Sequence, residues 1–271
     1  MRRHIRGVDH VIVLVRDLDR AQEAWQRMGF TLTPRGFHSL GSQNHCVMFG
    51  RDYIELMALP RPHPSLRYFS DFLAVGEGLG GLVLATDDAA GAHAEFARAG
   101  IVADPPLALS RPVDGLGDAR FSLLQLPESL VPGFRLLACQ HHTRELVWRP
   151  EYQSHALGAL EIAGLAVYAD STPAYADPLG ASVRDTPEGD ILATGSTPIL
   201  ISTPEKLRPR MGKTRMPARP APAVAALFIR VGDREQAEDA LRRGGFAPAK
   251  LRDGSLAVGA DQANGVALIF G

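Results

Sequence analysis

Hydrophobic and polar positions repeat along this chain. The apolar run Val11–Val15 has the composition of a buried strand and opens behind His10. It gives way to the polar stretch RDLDRAQEAWQRMGF, in which Ala21, Ala24, Trp25 and Met28 recur at helical spacing. Fourteen residues carry the chain from Val15 to the closing Gly29, and the same interval runs from Thr86 to Gly100 and from Val231 to Gly245. Three ungapped copies make an internal repeat, and a repeat decides the architecture before any motif does. In each copy an aspartate stands near the helix start (Asp17, Asp87 or Asp88, Asp233) where it can cap exposed N–H groups, and the closing glycines suit the left-handed position after a helix.

Strand candidates follow each helix: HCVMFG and YIELMAL in the first copy, RFSLLQL and FRLLACQ in the second, SLAVGA and GVALIFG in the last. A fourth, shorter copy lies between them, with EIAGLAVYAD as strand, the proline-broken helix STPAYADPLG, then DILATG and PILIST. The predicted unit is βαβββ and the predicted class α+β. Such a unit covers only one face of its sheet with its own helix, so units must pair to bury or enclose the other. Four units then form two paired domains, residues 1–145 and 158–271, with 146–157 as linker. The segment EKLRPRMGKTRMPARPAPA, rich in proline and positive charge, is predicted to be a long exposed connection. A nucleic-acid patch is the sharper reading of that segment, but it has no interleaved aromatic residue to stack bases.

Composition narrows the functional classes. The 271 residues are 45% hydrophobic and 22% charged, as in an ordinary globular chain. With 29 basic and 30 acidic residues the net charge is -1, so no global field attracts nucleic acid or an anionic membrane, and the expected partner is a small molecule. The two cysteines, Cys46 and Cys139, lie far apart in apolar runs and offer neither a disulfide framework nor a zinc spacing, which makes a reducing, cytoplasmic setting the default. The basic start MRRHIRG is not followed by a signal h-region, and no apolar run is long enough to span a bilayer. No G-x-S-x-G elbow, Walker loop or dinucleotide fingerprint is placed between a strand and a helix, and the glycine-rich GEGLGGL precedes a strand where a phosphate loop would follow one.

The repeated units, opening with DHVIVLV and closing with DYIELMAL, resemble the vicinal oxygen chelate superfamily, which includes glyoxalase I, bleomycin-resistance proteins and extradiol dioxygenases. GFHSLGSQNHCVMFGRDYIELMAL looks more narrowly like the glyoxalase-like domain proteins, over roughly the first 165 residues. The resemblance implies two glyoxalase-like domains with open, cup-shaped mixed sheets, each cup able to hold a divalent metal (Mn, Fe, Ni or Zn) through side chains of the first and last strands of a unit. The matching residues here are His10 and Glu55. Imidazole suits a transition metal and a carboxylate completes its site, which accounts for a histidine at the mouth of a core strand.

Beside these two, the candidate residues differ in how strongly they point to the cup. Aligned by eye, Gly81 stands opposite His10 and Arg135 opposite Glu55, so Arg135 becomes a candidate clamp for a carboxylate or enolate oxygen. Asn44 and His45 share a strand and point to opposite faces, so at most one lines the cup. His38 sits in the loop RGFHSLGSQ, which can fold over the mouth, and Arg120 either joins Arg135 or ends a strand at the surface. His93, His141 and His142 read as solvent-exposed, and His155 as a structural bridge or a lid contact. In the second domain Gly164 and Ala226 occupy the first-strand positions, PILIST and GVALIFG carry no ionisable residue, and all nine histidines lie at or before His155. That domain is therefore expected to be a support or an interface.

Two functional readings follow. One is a metal-dependent lyase, isomerase or dioxygenase-type enzyme acting on a small molecule with vicinal oxygens, with Glu55 serving instead as general base if no metal is bound. The other is a metal-free binding or sequestering protein of the bleomycin-resistance type. Some superfamily members pair units between two chains, forming a homodimer; four units in one chain make that unnecessary here.

Overall fold

The computed structural model describes every residue except 1, 114 and 196. The first half of the chain runs β1 (Gly7–Leu14), α1 (Leu18–Arg27), β2 (Gly36–Phe37), β3 (Gln43–Met48), β4 (Tyr53–Ala58), α2 (Arg67–Val75), β5 (Gly78–Ala85), α3 (Ala89–Arg98), β6 (Leu107–Val113), β7 (Gly117–Gln125) and β8 (Arg135–His141). The second half repeats this as β9 (Ala159–Tyr168), α4 (Pro173–Leu179), β10 (Ser182–Thr186), β11 (Gly189–Ala193), β12 (Ile199–Ser202), α5 (Pro204–Met211), β13 (Ala223–Val231), α6 (Arg234–Arg243), β14 (Ala249–Lys250), β15 (Leu256–Val258) and β16 (Ala267–Phe270).

Each half forms one eight-stranded mixed sheet, in the orders β2-β3-β4-β1-β5-β8-β7-β6 and β10-β11-β12-β9-β13-β16-β15-β14. Within every unit the first strand runs parallel to the last, and the first strands of two partner units lie antiparallel at the sheet centre. This is the paired βαβββ, α+β architecture read from the sequence. The helix signals act as their chemistry dictates: the Asp17 side chain accepts from Arg20 N, Asp88 from Gly91 N, and Asp233 from Glu235 N and Gln236 N. Gly29, Gly100 and Gly245 all take positive φ, where a side chain would strain the backbone. Among the described residues no helix is long and apolar enough to cross a membrane.

The helix-covered faces of both sheets share one continuous core. Trp25 and Phe96 from helices meet strand residues such as Ile54, Leu165 and Phe270, all nearly inaccessible to water. The contact is tight enough that a Cβ on Gly244, just beyond α6, would stand 1.7 Å from the Arg27 carbonyl at the end of α1. The concave faces look away from this shared core.

Two helices were not anticipated. α2 packs Leu66, Phe69 and Phe72 over the first concave face, against Ile12, Leu14, Met57 and Leu137. α5 occupies the corresponding place on the second sheet and buries Leu207 and Met211 against Ala166, Tyr168 and Leu200. The proline-rich stretch predicted to be an exposed connection therefore begins as a packed helix. It then reaches back to the first half, where Arg219 Nη2 donates to the carbonyls of Phe72 and Gly76 at 2.7 and 2.9 Å.

Candidate functional site

The first concave face encloses a cavity of about 110 Å³. Its walls are mostly apolar, including Ile12, Met57, Leu66, Phe69, Val83 and Leu137, and its polar residues include His10, His38, Ser42, Asn44, Glu55 and Arg111. The edges of the sheet approach one another, with β2 against β6, so the cup is nearly closed.

A β-bulge builds the centre of the site. In the β1–β5 ladder Val8 faces Leu84 and His10 faces Val83, which leaves Asp9 without a partner. Simple alternation would send Asp9 and His10 to opposite faces; the extra residue re-aims the pair toward each other. Asp9 Oδ1 accepts from His10 Nδ1 at 2.6 Å and from His141 Nε2 of β8 at 3.1 Å. Burial alone would raise the Asp9 pKa, but these hydrogen bonds and the nearby imidazoles hold it well below the usual carboxylate range. An ionised carboxylate only accepts, so His10 Nδ1 carries a proton and its Nε2 is turned inward. His10 also stacks on Tyr53, its neighbour on β4, with ring centroids 4.2 Å apart.

Glu55 stands one step along the cup, paired across the ladder with Ile12. Its Oε2 lies 3.7 Å from His10 Nε2, its Oε1 lies 3.8 Å from His38 Nε2, and Asn44 Nδ2 donates to Oε1 at 2.6 Å. Asn44 reaches it because β3 sets Met57 opposite Asn44, which makes Glu55 the diagonal neighbour on the same face. His38 is held by Ser42 Oγ at 2.8 Å, and burial, opposed by Glu55 and aided by Arg111, lowers its pKa below the ordinary histidine value, so its ring is neutral at pH 7. Burial, with Glu55 adding to it, pushes the Cys46 thiol up to about 12, so this cysteine is an inert part of the wall.

Other sequence-based candidates lie elsewhere. His45 points to the opposite face of β3, where its Nδ1 meets the Thr33 carbonyl at 2.8 Å. Arg120 is exposed and does not line the cavity. Arg135 is buried on the cup side of β8, but it lies outside the cavity lining, with its guanidinium 5.9 Å from the Tyr68 ring of α2. The bulges also correct its alignment. Gly80 is the unpaired residue of β5 as Asp9 is of β1, and the residues that follow, Gly81 and His10, pair with Arg135 and Tyr53. Arg135 thus corresponds to Tyr53, and Leu137 to Glu55. By the same rule, the bulged Ala163 of β9 makes Gly164 the counterpart of His10 and Leu200 that of Glu55.

His141 is not exposed, since its side chain is only 6% accessible and is tied to Asp9. His93 is partly buried and meets the Ala103 carbonyl, whereas His142 is exposed as expected. His155 is a bridge between chain segments: Thr31 N donates to its Nδ1, and its Nε2 donates to the Met48 carbonyl at 3.0 Å. Asp9, Arg111 and His141 were missed. Asp9 was hidden by the bulge, and Arg111 by the polar, proline-containing strand LALSRPV, whose alternation around Leu109, Arg111 and Val113 was the one available signal.

The donor set is suited to a transition metal in kind: two imidazoles and a carboxylate, with His10 Nε2 directed inward by the hydrogen bond from Nδ1 to Asp9. In number it is sparse. Among the described residues no group of three or more His, Cys, Asp or Glu side chains is arranged to hold a metal ion, which leaves His10 and Glu55 as the closest facing pair.

An imidazole on the first strand and a carboxylate on the last strand of one βαβββ unit, facing each other in a cup closed by a second unit, define the class: this is a vicinal oxygen chelate fold. The chain belongs to the glyoxalase-like domain family, whose model matches residues 8–182. Similar solved structures include a hypothetical protein from Staphylococcus aureus (13% identity, TM-score 0.67, covering 97% of this chain and 98% of that one). They also include a mutant of 4-hydroxymandelate synthase from Streptomyces coelicolor (13%, TM-score 0.62, covering 100% and 92%). A third is 2,2',3-trihydroxybiphenyl 1,2-dioxygenase from a dibenzofuran-degrading Sphingomonas wittichii (16%, TM-score 0.52, covering 98% and 91%). At these identities the likeness is one of fold. No curated protein matches the chain.

Proposed function

We propose that the N-terminal cup is the active site of an enzyme acting on a small molecule with adjacent oxygens, in chemistry of the lyase, isomerase or dioxygenase type. In this reading His10 and Glu55 hold a divalent metal (Mn, Fe, Ni or Zn), and the substrate's own oxygens complete its shell. The observation that carries the proposal is the buried line from Asp9 through His10 to Glu55, with 3.7 Å between the inward Nε2 and Oε2 at the wall of an apolar cavity. Such an ion supplies Lewis acidity, polarising the paired oxygens and stabilising negative charge that develops on them.

The chain's own residues do the rest. Asp9 fixes the His10 tautomer and strengthens Nε2 as a donor, the arrangement by which a carboxylate behind an imidazole tunes a metal ligand. Asn44 holds Glu55 Oε1 and leaves Oε2 free to face the reacting atoms; without a metal, that oxygen would instead take a proton as general base. The apolar walls exclude bulk water, so these charges act in a low effective dielectric.

A specific observation favours a second reading, a metal-free binding protein: Asn44 already occupies one oxygen of Glu55, and no third ligand completes a cluster among the described residues. Elemental analysis of protein purified without affinity tag or chelator, read beside His10→Ala, separates the two. Stoichiometric metal that disappears in the variant supports the metalloenzyme. Absence of metal after reconstitution with each of the four ions overturns it in favour of the binder.

A further inference from the structure

We propose that Arg111 is an anion-recognition residue, and that the N-terminal cup takes a small carboxylate with an apolar body of about the size of a single ring. This rests on reading the cup as a small-molecule site and names the class of molecule it accepts. The argument is one of charge balance inside a closed cavity. Among the described residues, two carboxyl side chains and one guanidinium face this space or lie just behind its wall. Asp9 accepts from two imidazoles, and Glu55 accepts from Asn44 with His10 and His38 beside it. Both carboxylates are therefore provided for.

Arg111 is not. It lines the cavity from β6 with 9% of its surface exposed, its Nε has no hydrogen-bond partner, and no carboxylate lies within 4.0 Å of its guanidinium among the described residues. A buried guanidinium without a counter-charge is unfavourable, and the group that satisfies it best is a carboxylate taken bidentately by its planar fork.

The backbone makes room for it. A Cβ on Gly36 would stand 2.6 Å from Arg111 Nη1 and 2.8 Å from its Cδ, so the glycine lets the side chain cross β2 to reach the cup. Asn44 Oδ1, another buried atom without a partner, would lie 2.3 Å from that same Cβ, so Asn44 and Arg111 share the space that a side chain at position 36 would fill. The remaining walls, among them Leu109, Phe121 and Leu123, are apolar. At about 110 Å³ the cavity is well below the roughly 300 Å³ at which drug-sized ligands begin to fit.

The test is calorimetric titration of the full chain, held metal-free with a chelator, using benzoate and its neutral isostere benzamide. Wild type is expected to bind benzoate roughly tenfold or more tightly than benzamide. Arg111→Met is expected to lose that preference while its benzamide affinity stays within about threefold, and Arg111→Lys to keep part of it. Equal affinity of wild type for the two probes, survival of the preference in Arg111→Met, or no saturable benzoate binding would each overturn the proposal. Because the readout is binding without metal, a failed metal analysis leaves this result standing, and a failed benzoate titration leaves the metal analysis standing.

Discussion

Asp52 offers a quantitative test of how the two halves of the chain are joined. It lies at the foot of β4, the strand that carries Tyr53 and Glu55, with its side chain wholly buried. Its Oδ1 accepts from the backbone N–H of Ile162 on β9 at 3.0 Å, while Oδ2 is buried without a hydrogen-bond partner and lies 3.6 Å from Arg51 Nε. Burial is the larger influence and pushes its pKa up from 3.8 to about 6, against the Ile162 N–H and Arg51. Well below pH 3.8 the residue is protonated in both the folded and the unfolded chain and contributes no pH dependence. Between the two pKa values the folded chain binds the extra proton, so stability falls as pH rises through this window. Above pH 6 the full penalty is present. A shift of this size corresponds to about 3 kcal/mol. Asp52→Asn keeps the acceptor for Ile162 and removes the ionisation, so its stability relative to wild type should improve by about 2.5 kcal/mol between pH 4 and pH 7.5. The comparison cancels any pH-independent cost of burying the amide. Urea unfolding followed by tryptophan fluorescence at the two pH values measures it, and a wild-type-to-variant difference that stays flat with pH would refute the reasoning.

Two further outcomes follow from packing. Gly36→Ala sets a methyl group 2.3 Å from Asn44 Oδ1, so Asn44 or Arg111 must move; we expect a loss of about 1–3 kcal/mol in urea unfolding together with weaker benzoate binding. Leu207→Ala empties a fully buried position beneath α5. It should cost about 2–5 kcal/mol in the same assay, whereas a residue in an exposed connection would change stability by less than about 0.5 kcal/mol.

Much of the fold was legible in the sequence because it is written locally and repeatedly. Strand, capping aspartate, amphipathic helix and closing glycine depend on neighbours a few residues apart, and three ungapped copies removed the ambiguity that one copy would carry. The edge strands β2, β6, β10 and β14 escaped notice because they are short or polar, and edges owe their pairing to the sheet beside them. α2 and α5 escaped because they are short, nine and eight residues, and their reason to be helical is the concave face they cover. Within the site, His10, Glu55, His38 and Asn44 were all singled out, and the structure brings these four together. Arg135 and Arg120 were named where Arg111 was needed, since Arg111 lies on a polar edge strand and only the strand pairing shows that Arg135 matches Tyr53, two residues before Glu55.

By itself, then, the sequence determined the repeating unit, the pairing of units and the presence of an imidazole and a carboxylate on the first and last strands of one cup. These follow from periodicity and from capping chemistry, which act over a turn or two of chain. Only the tertiary structure decided that Asp9 turns inward to hold His10 and His141, that α2 and α5 each pack over part of a concave face, and that Arg111 enters the cavity across Gly36. Each of those depends on strands far apart in sequence arriving at one place, and on a single unpaired residue reversing which face a side chain meets.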